Sequence, residues 1–351
     1  MKLHHFVATL AILAIAGYAS AQGLRIRHGA PVPIEVKSLY EAGLQYLVKQ
    51  QASDGTWRSN QYGNGPGVDG LCCLAMLSSG DDPNFGRYAE NIRKALRAII
   101  AKQNSSSGLL SQNGNNHGSM YHHGFATLAL AEAYGAVDDS LLWKDVDEAD
   151  RTTIGAALER AVGCIITSQD QNPFGGWRYT PTAKDADISV SGANIVALLA
   201  ARNAGVEIPD ENINKAVKLL EQATNDAGAV AYQVGSVGFA FGDSLARSSI
   251  ACLSLSIAKR KDTKAYEATL KYLTERIDQP PRSWKYYTRY YMAQALFQGD
   301  FDAWSEWDKI NTEMLQEEQS DDGSIGGSTY STAMSLLSMA LNFRFLPIYE
   351  R

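Results

Sequence analysis

Two kinds of helical segment alternate along this chain, and their alternation limits the fold more than any single residue does. Val36–Gln51, Tyr88–Lys102, Thr152–Thr167, Ile213–Ala223, Thr263–Ile277 and Phe301–Glu318 are amphipathic. In the second of these, Ile92, Leu96, Ile99 and Ile100 share one face, while Glu90, Arg93, Lys94 and Arg97 share the other. Between them come Val68–Leu77, Gly124–Tyr134, Ile188–Ala204, Leu245–Ala258, Tyr286–Phe297 and Ser328–Leu341, small and apolar nearly all round. A helix with one apolar stripe lies at a surface, whereas one that is apolar on every side is surrounded. Corners at Trp57, Leu110, Trp177, Tyr232, Trp284 and Ile325 punctuate the pairs at roughly fifty residues, a spacing in the range of helical-pair repeats. An open solenoid would leave flanks exposed and need polar caps. Six pairs with a distinct inner set predict a closed ring, an all-α (α/α)6 toroid running as one domain over residues 22–351.

The remaining 21 residues read as a signal peptide: Lys2, an apolar run from Phe6 to Ala16 too short to span a bilayer, and Ala19-Ser20-Ala21 as a cleavage site. The expected mature protein is exported, periplasmic or secreted, and is not an integral membrane protein. Net charge is −6 with no Lys/Arg run, which argues against a nucleic-acid partner because neutralising phosphates takes a clustered basic surface. Cys72, Cys73, Cys164 and Cys252 lie in apolar helical stretches without metal-ligand spacing, and read as small core residues. No nucleophile elbow, phosphate-binding glycine loop or HExxH motif is present. Nothing in the pattern specifies an oligomeric state.

Three corners carry a family likeness. Gln51-x-x-x-Gly55-x-Trp57, Phe174-Gly-Gly-Trp177 and Gln319-Ser-Asp-Asp-Gly323-Ser-Ile-Gly-Gly327 resemble the glutamine–tryptophan repeats of terpenoid cyclases and protein prenyltransferase β subunits. The chain is most similar to exported bacterial prenyltransferase/squalene oxidase repeat proteins, those of planctomycetes especially. That resemblance implies the same α/α toroid. It also implies a catalytic role for Asp187, because Asp185-x-Asp187-Ile188 is similar to the Asp-x-Asp-Asp signature of class II terpene cyclases, whose middle aspartate protonates an alkene or epoxide. Ile188 stands where the last aspartate belongs, and the second helical domain of those cyclases has no room here. A different role for Asp185 and Asp187 is capping, since acidic groups in a first helical turn accept backbone N–H groups.

In the pairing above, every inner helix starts at the same mouth of the ring. The residues expected to line a cavity there are Asp69, Tyr121, Trp177, Asp243, Arg247, Trp284, Tyr286, Tyr287, Tyr290 and Tyr330. His122 and His123, with His117 nearby, form the densest imidazole cluster and are candidates for base, relay or loop-orienting roles. Protein prenyltransferases hold zinc with Asp, Cys and His, so Asp69, Cys72 and His122 or His123 are the residues to weigh, but the family's closer Asp–Cys spacing is missing and no metal or other cofactor is expected. The tyrosines around Trp284 could face a carbocation, stack on a sugar or simply pack.

Three functions follow. The first is binding of, or chemistry on, an apolar isoprenoid-like ligand; as an enzyme it would be an isomerase of the terpene cyclase type, with Asp187 as general acid assisted by Asp185, His122 and His123. The second is a carbohydrate-active (α/α)6 enzyme using paired carboxylates. The third is a non-catalytic interaction scaffold. Aromatic walls, facing carboxylates or a filled ring would distinguish them.

Overall fold

The computed structural model describes residues 32–59, 63–112, 118–234, 245–343, 345–346 and 348. The signal-peptide segment, Asp243 and His117 lie outside the described residues. From Pro33 onward the elements are α1 (Ile34–Gln50), α2 (Pro66–Leu77), α3 (Ala89–Ala101), α4 (Ser119–Ala133), a short α5 (Asp139–Leu142), α6 (Ile154–Asp170), α7 (Ile188–Asn203), α8 (Asp210–Ala223), α9 (Leu245–Ile257), α10 (Lys264–Thr274), α11 (Lys285–Gly299), α12 (Phe301–Glu318) and α13 (Thr329–Met339). Two antiparallel pairs of two-residue strands complete the set: β1 (Arg58–Ser59) with β2 (Gly63–Asn64), and β3 (Ala186–Asp187) with β4 (Gln233–Val234).

The inner ring closes on itself. α2 packs on α4, α4 on α7, α7 on α9, α9 on α11, α11 on α13 and α13 back on α2. Every residue of α2 from Pro66 to Met76 is buried, as all-round apolarity requires, whereas α3 buries one face, Ile92, Leu96, Ile99 and Ile100 with its alanines. Small residues set the spacing of the inner helices. A Cβ at Gly192 of α7 would lie 2.1 Å from Ile250 Cγ2 of α9, closer than packing allows. The outer helices α1, α3, α6, α8, α10 and α12 wrap this ring. The (α/α)6 toroid expected from the alternation is the fold. Two short elements were not expected: α5 and a 3₁₀ turn at Glu148–Asp150 are inserted between α4 and α6.

What fastens one outer helix to the next is a glutamine. Gln51 Nε2 donates to Gly55 O at 3.1 Å and to Asn91 O of α3 at 3.0 Å. Gln103 does the same with Gly108 O and Ala157 O of α6, and Gln169 with Gly175 O and Asn212 O of α8. Gln319 closes the circle, donating to Gly323 O and to Leu39 O of α1. Each amide thus ties its own corner to the following outer helix. The glycine two residues before each buried corner side chain is equally constrained: Gly323 has φ +87°, and a Cβ there would sit 2.3 Å from Ala42 O of α1.

Inside each of four corners a second tie reaches the inner ring. The backbone N–H donates to a side chain within the first turns of the next inner helix: Trp57 to Asp69 Oδ1, Leu110 to His123 Nδ1, Trp177 to Ser191 Oγ and Ile325 to Thr332 Oγ1. Two corners depart from expectation. At the fourth, Val230 fills the buried slot and bridges Thr224, so Tyr232 is carried past it. At the fifth no glycine is present, and Trp284 is 61% exposed with φ +52°, a left-handed conformation uncommon for a bulky residue.

Replacing Gln319 with alanine removes the amide that joins the last outer helix to the first. Chemical denaturation is expected to show a loss of about 1–3 kcal/mol, the net worth of its two part-buried hydrogen bonds. Gln45→Ala, on an exposed face, is expected to change stability by less than about 0.5 kcal/mol.

Candidate functional site

All six inner helices begin around one cavity of about 450 Å³, within the range of small-molecule sites. Seven aromatic side chains stand on its wall: Tyr121 and Phe125 from α4, Tyr179 and Tyr232 from the corners flanking α7, Trp284 and Tyr287 from the start of α11, and Tyr330 from α13. Gly67, Val68 and Leu71 of α2 complete one side; Ser189, Arg247, Ser283 and Thr288 add polar atoms. No carboxylate is among the described lining residues.

Asp187 is fully buried and is the N-cap of α7. Its Oδ1 accepts from Ser189 N at 2.7 Å and Val190 N at 3.0 Å, while the strand pair β3–β4 fixes its backbone opposite Gln233. Burial pushes its pKa up; the cap N–H groups, the nearby Tyr232 hydroxyl and Arg178 offset part of that rise. Oδ2 has no hydrogen-bond partner among the described residues, and the Tyr232 hydroxyl is close enough to the carboxyl to act on it. Asp185 lies outside the cavity wall. It is held by an ion pair with Arg178 and by Gln233 Nε2 at 2.7 Å, with roughly a quarter of its side chain exposed.

The two histidines differ sharply. His122 lies on the wall, its Nδ1 accepting from Gly67 N at 3.3 Å, and burial lowers its pKa. His123 is fully buried away from the cavity. Leu110 N donates to its Nδ1 and its Nε2 meets Ala161 O at 3.0 Å, which requires the Nε2–H tautomer and leaves no ring nitrogen for chemistry. Burial lowers its pKa to about 4. Both residues lie inside α4, which starts five residues earlier than the apolar pattern indicated.

Of the other residues expected at the mouth, Tyr121, Arg247, Trp284, Tyr287 and Tyr330 line the cavity. Asp69 and Trp177 lie instead at the buried corners, where Asp69 receives Trp57 N–H and Trp177 donates its indole N–H to Ile165 O. Tyr286 turns toward the last corner, against Gly326, and Tyr290 packs one turn deeper, against Phe125 and Tyr291. Tyr179, Tyr232, Ser189, Phe125 and Thr288 were not anticipated. Gly228, two residues before Val230, was the available signal for Tyr232, because each buried corner residue follows its glycine at that interval. Among the described residues no group of three or more His, Cys, Asp or Glu side chains is placed to hold a metal ion, and the four cysteines are buried and unbridged.

No family model and no characterised protein matches this chain by sequence. Solved structures do match in fold. A GH76A α-1,6-mannanase of Salegentibacter, in complex with α-1,6-mannotriose, superposes with TM-score 0.62 at 10% identity, covering 88% of this chain and 99% of that one. A type II terpene cyclase from Scytonema, in complex with its substrate geranylgeranyl dihydroxybenzoate, gives TM-score 0.60 at 14% identity, covering 89% and 98%. A protein from Actinoplanes gives 0.54 at 14%, covering 88% and 99%. At such identities the likeness is one of fold. It establishes the (α/α)6 toroid, a ring that this chain shares with both the cyclase and the mannanase.

Asp69 supplies a test of this arrangement. Burial raises its pKa to about 7, above that of an unfolded aspartate, so between about pH 4 and 7 the folded state binds the extra proton. Its contribution to stability therefore declines as pH rises through that window, with a limiting slope of about 1.4 kcal/mol per pH unit. His123, with its pKa lowered, contributes the opposite slope between about pH 4 and 6.5. Asp69→Asn keeps the acceptor for Trp57 N–H and removes the titration. Denaturation from pH 4 to 8 is expected to show the variant gaining stability relative to wild type as pH rises.

Proposed function

We propose that this protein binds an apolar, isoprenoid-like small molecule in the central cavity of the ring. The observation that carries this reading is the wall itself: seven aromatic side chains converge from three inner helices and two corners, with no described carboxylate among the lining residues. Aromatic faces bury large apolar area and hold a chain without demanding a fixed hydrogen-bond pattern. Retaining and inverting glycosidases need two carboxyl groups flanking the sugar bond, and the described wall offers none. Asp187 is enclosed and serves a helix cap, so binding needs less of it than alkene protonation would. The Scytonema cyclase that shares the fold holds a geranylgeranyl substrate, in keeping with an apolar occupant. The chain is proposed to be one toroid domain, exported after removal of its first 21 residues.

Native mass spectrometry of the purified protein, followed by lipid extraction, tests this reading. The expected result is a co-purified isoprenoid or similar apolar molecule, lost when Tyr287→Ala and Tyr330→Ala open the wall. Retention of mannooligosaccharide in place of lipid would overturn it.

A further inference from the structure

The cavity is shallow. Its deepest lining residues are Leu71 on α2 and Phe125 on α4, both within the first two turns, although those helices run on to Leu77 and Ala133. At a rise of 1.5 Å per residue, Gly118 to Phe125 spans about 10 Å along the ring. Below that level side chains fill the centre. Phe125 meets Tyr290 edge-on with ring centroids 6.4 Å apart, Tyr290 meets Tyr291 at 4.7 Å, and Tyr291 meets Tyr287 of the wall at 4.8 Å. Tyr290 and Tyr291 are fully buried. Between the helices there is no side passage at this depth: a Cβ on Gly124 of α4 would lie 2.9 Å from the Ala193 backbone of α7, and Gly192 is pressed against Ile250 of α9. The described residues therefore make this end blind. A volume of about 450 Å³ holds about fifteen non-hydrogen atoms at about 30 Å³ each, the space one water takes in the liquid.

We infer that the site selects by length: it takes one terpenoid chain of about fifteen to twenty carbons, bent above an aromatic floor whose Phe125 and Tyr290 set the limit. The inference rests on the binding reading above and adds the size of the ligand that it admits. A chain of about fifteen carbons fills the space, and a slightly longer one reaches the mouth, where Trp284 is exposed. A thirty-carbon chain of squalene length fills the cavity with about half its atoms and leaves the rest in water, where they gain nothing from burial. Passing deeper would require the Phe125–Tyr290 contact to open, and both rings are packed on every side that the floor presents. The limit is set by space alone and does not depend on the polar end of the ligand, so probes that share one head group isolate it.

The test presents the purified protein with phosphatidylcholine vesicles carrying equal amounts of geraniol, farnesol, geranylgeraniol and hexaprenol, and measures the prenol recovered with it. A bilayer buries every carbon of these chains, so each carbon that the cavity leaves in water counts against transfer. Farnesol and geranylgeraniol are expected to be recovered at least about tenfold over hexaprenol. Phe125→Leu combined with Tyr290→Leu deepens the floor and is expected to reduce that preference at least about threefold. Val68→Phe fills the cavity from the α2 side and is expected to shift recovery from geranylgeraniol toward farnesol and geraniol. Because it projects into open space, it carries the test if the floor variant does not fold. If the wild type takes hexaprenol as readily as farnesol, or folded variants leave these ratios unchanged, the length limit is overturned while cavity binding stands. If no prenol is recovered, the binding reading fails, and the inference with it.

Discussion

The ring depends on a carboxamide. Four glutamines, at Gln51, Gln103, Gln169 and Gln319, each donate through one nitrogen to the corner glycine carbonyl and to a carbonyl of the next outer helix. A helix-interior carbonyl is already engaged by its own helix, so it accepts this extra bond with its second lone pair. The geometry requires the following helix to pass within hydrogen-bond reach, which is why glycine, with positive φ and no Cβ, lies beside it. Repeated round the circle, this contact sets the curvature of the outer ring. The Gln319–Leu39 bond, across 280 residues of sequence, joins its ends.

That pattern breaks in one sector, beside the cavity. Thr224 replaces glutamine at the fourth corner and bonds back into its own helix, to Leu220 O. The fifth corner has no glycine, Glu275 caps its outer helix where Gln51 and Gln319 cap theirs, and its tryptophan stands exposed at the mouth in a left-handed conformation. Such backbone outliers cost on the order of 1–3 kcal/mol and cluster at ligand sites. With the regular tie relaxed, Trp284 is released to the cavity while its counterparts Trp57 and Trp177 stay sealed in the corners; Tyr232, like Tyr179, reaches the cavity from two residues past a buried corner residue.

Much of the architecture was legible in the sequence because burial is written in periodicity. An inner helix surrounded by protein has no reason to carry a polar stripe, so Val68–Leu77 and Ile188–Ala204 could be assigned without knowing what they contact. The site was less legible. Tyr232 looked like a corner by aromatic character alone; only its distance from Gly228 separates it from Val230. Asp69 and Trp177 sit at the right end of the ring, yet sequence position could not show that each is consumed by a corner bond. His122 and His123 are adjacent in sequence but about 100° apart on α4, which puts one on the wall and the other in the core. The sugar-handling and terpenoid-handling enzymes that share this ring place their chemistry in the same scaffold, so the lining decides between them, not the fold.

The central claim is that the cavity is a place for a ligand and not a packing defect in a rigid scaffold. A crystal structure of the protein grown with farnesol tests this most directly. The account predicts continuous ligand density inside the ring, against Tyr121, Tyr287 and Tyr330. An empty cavity at saturating ligand, or one closed by inward collapse of the same side chains, would contradict it.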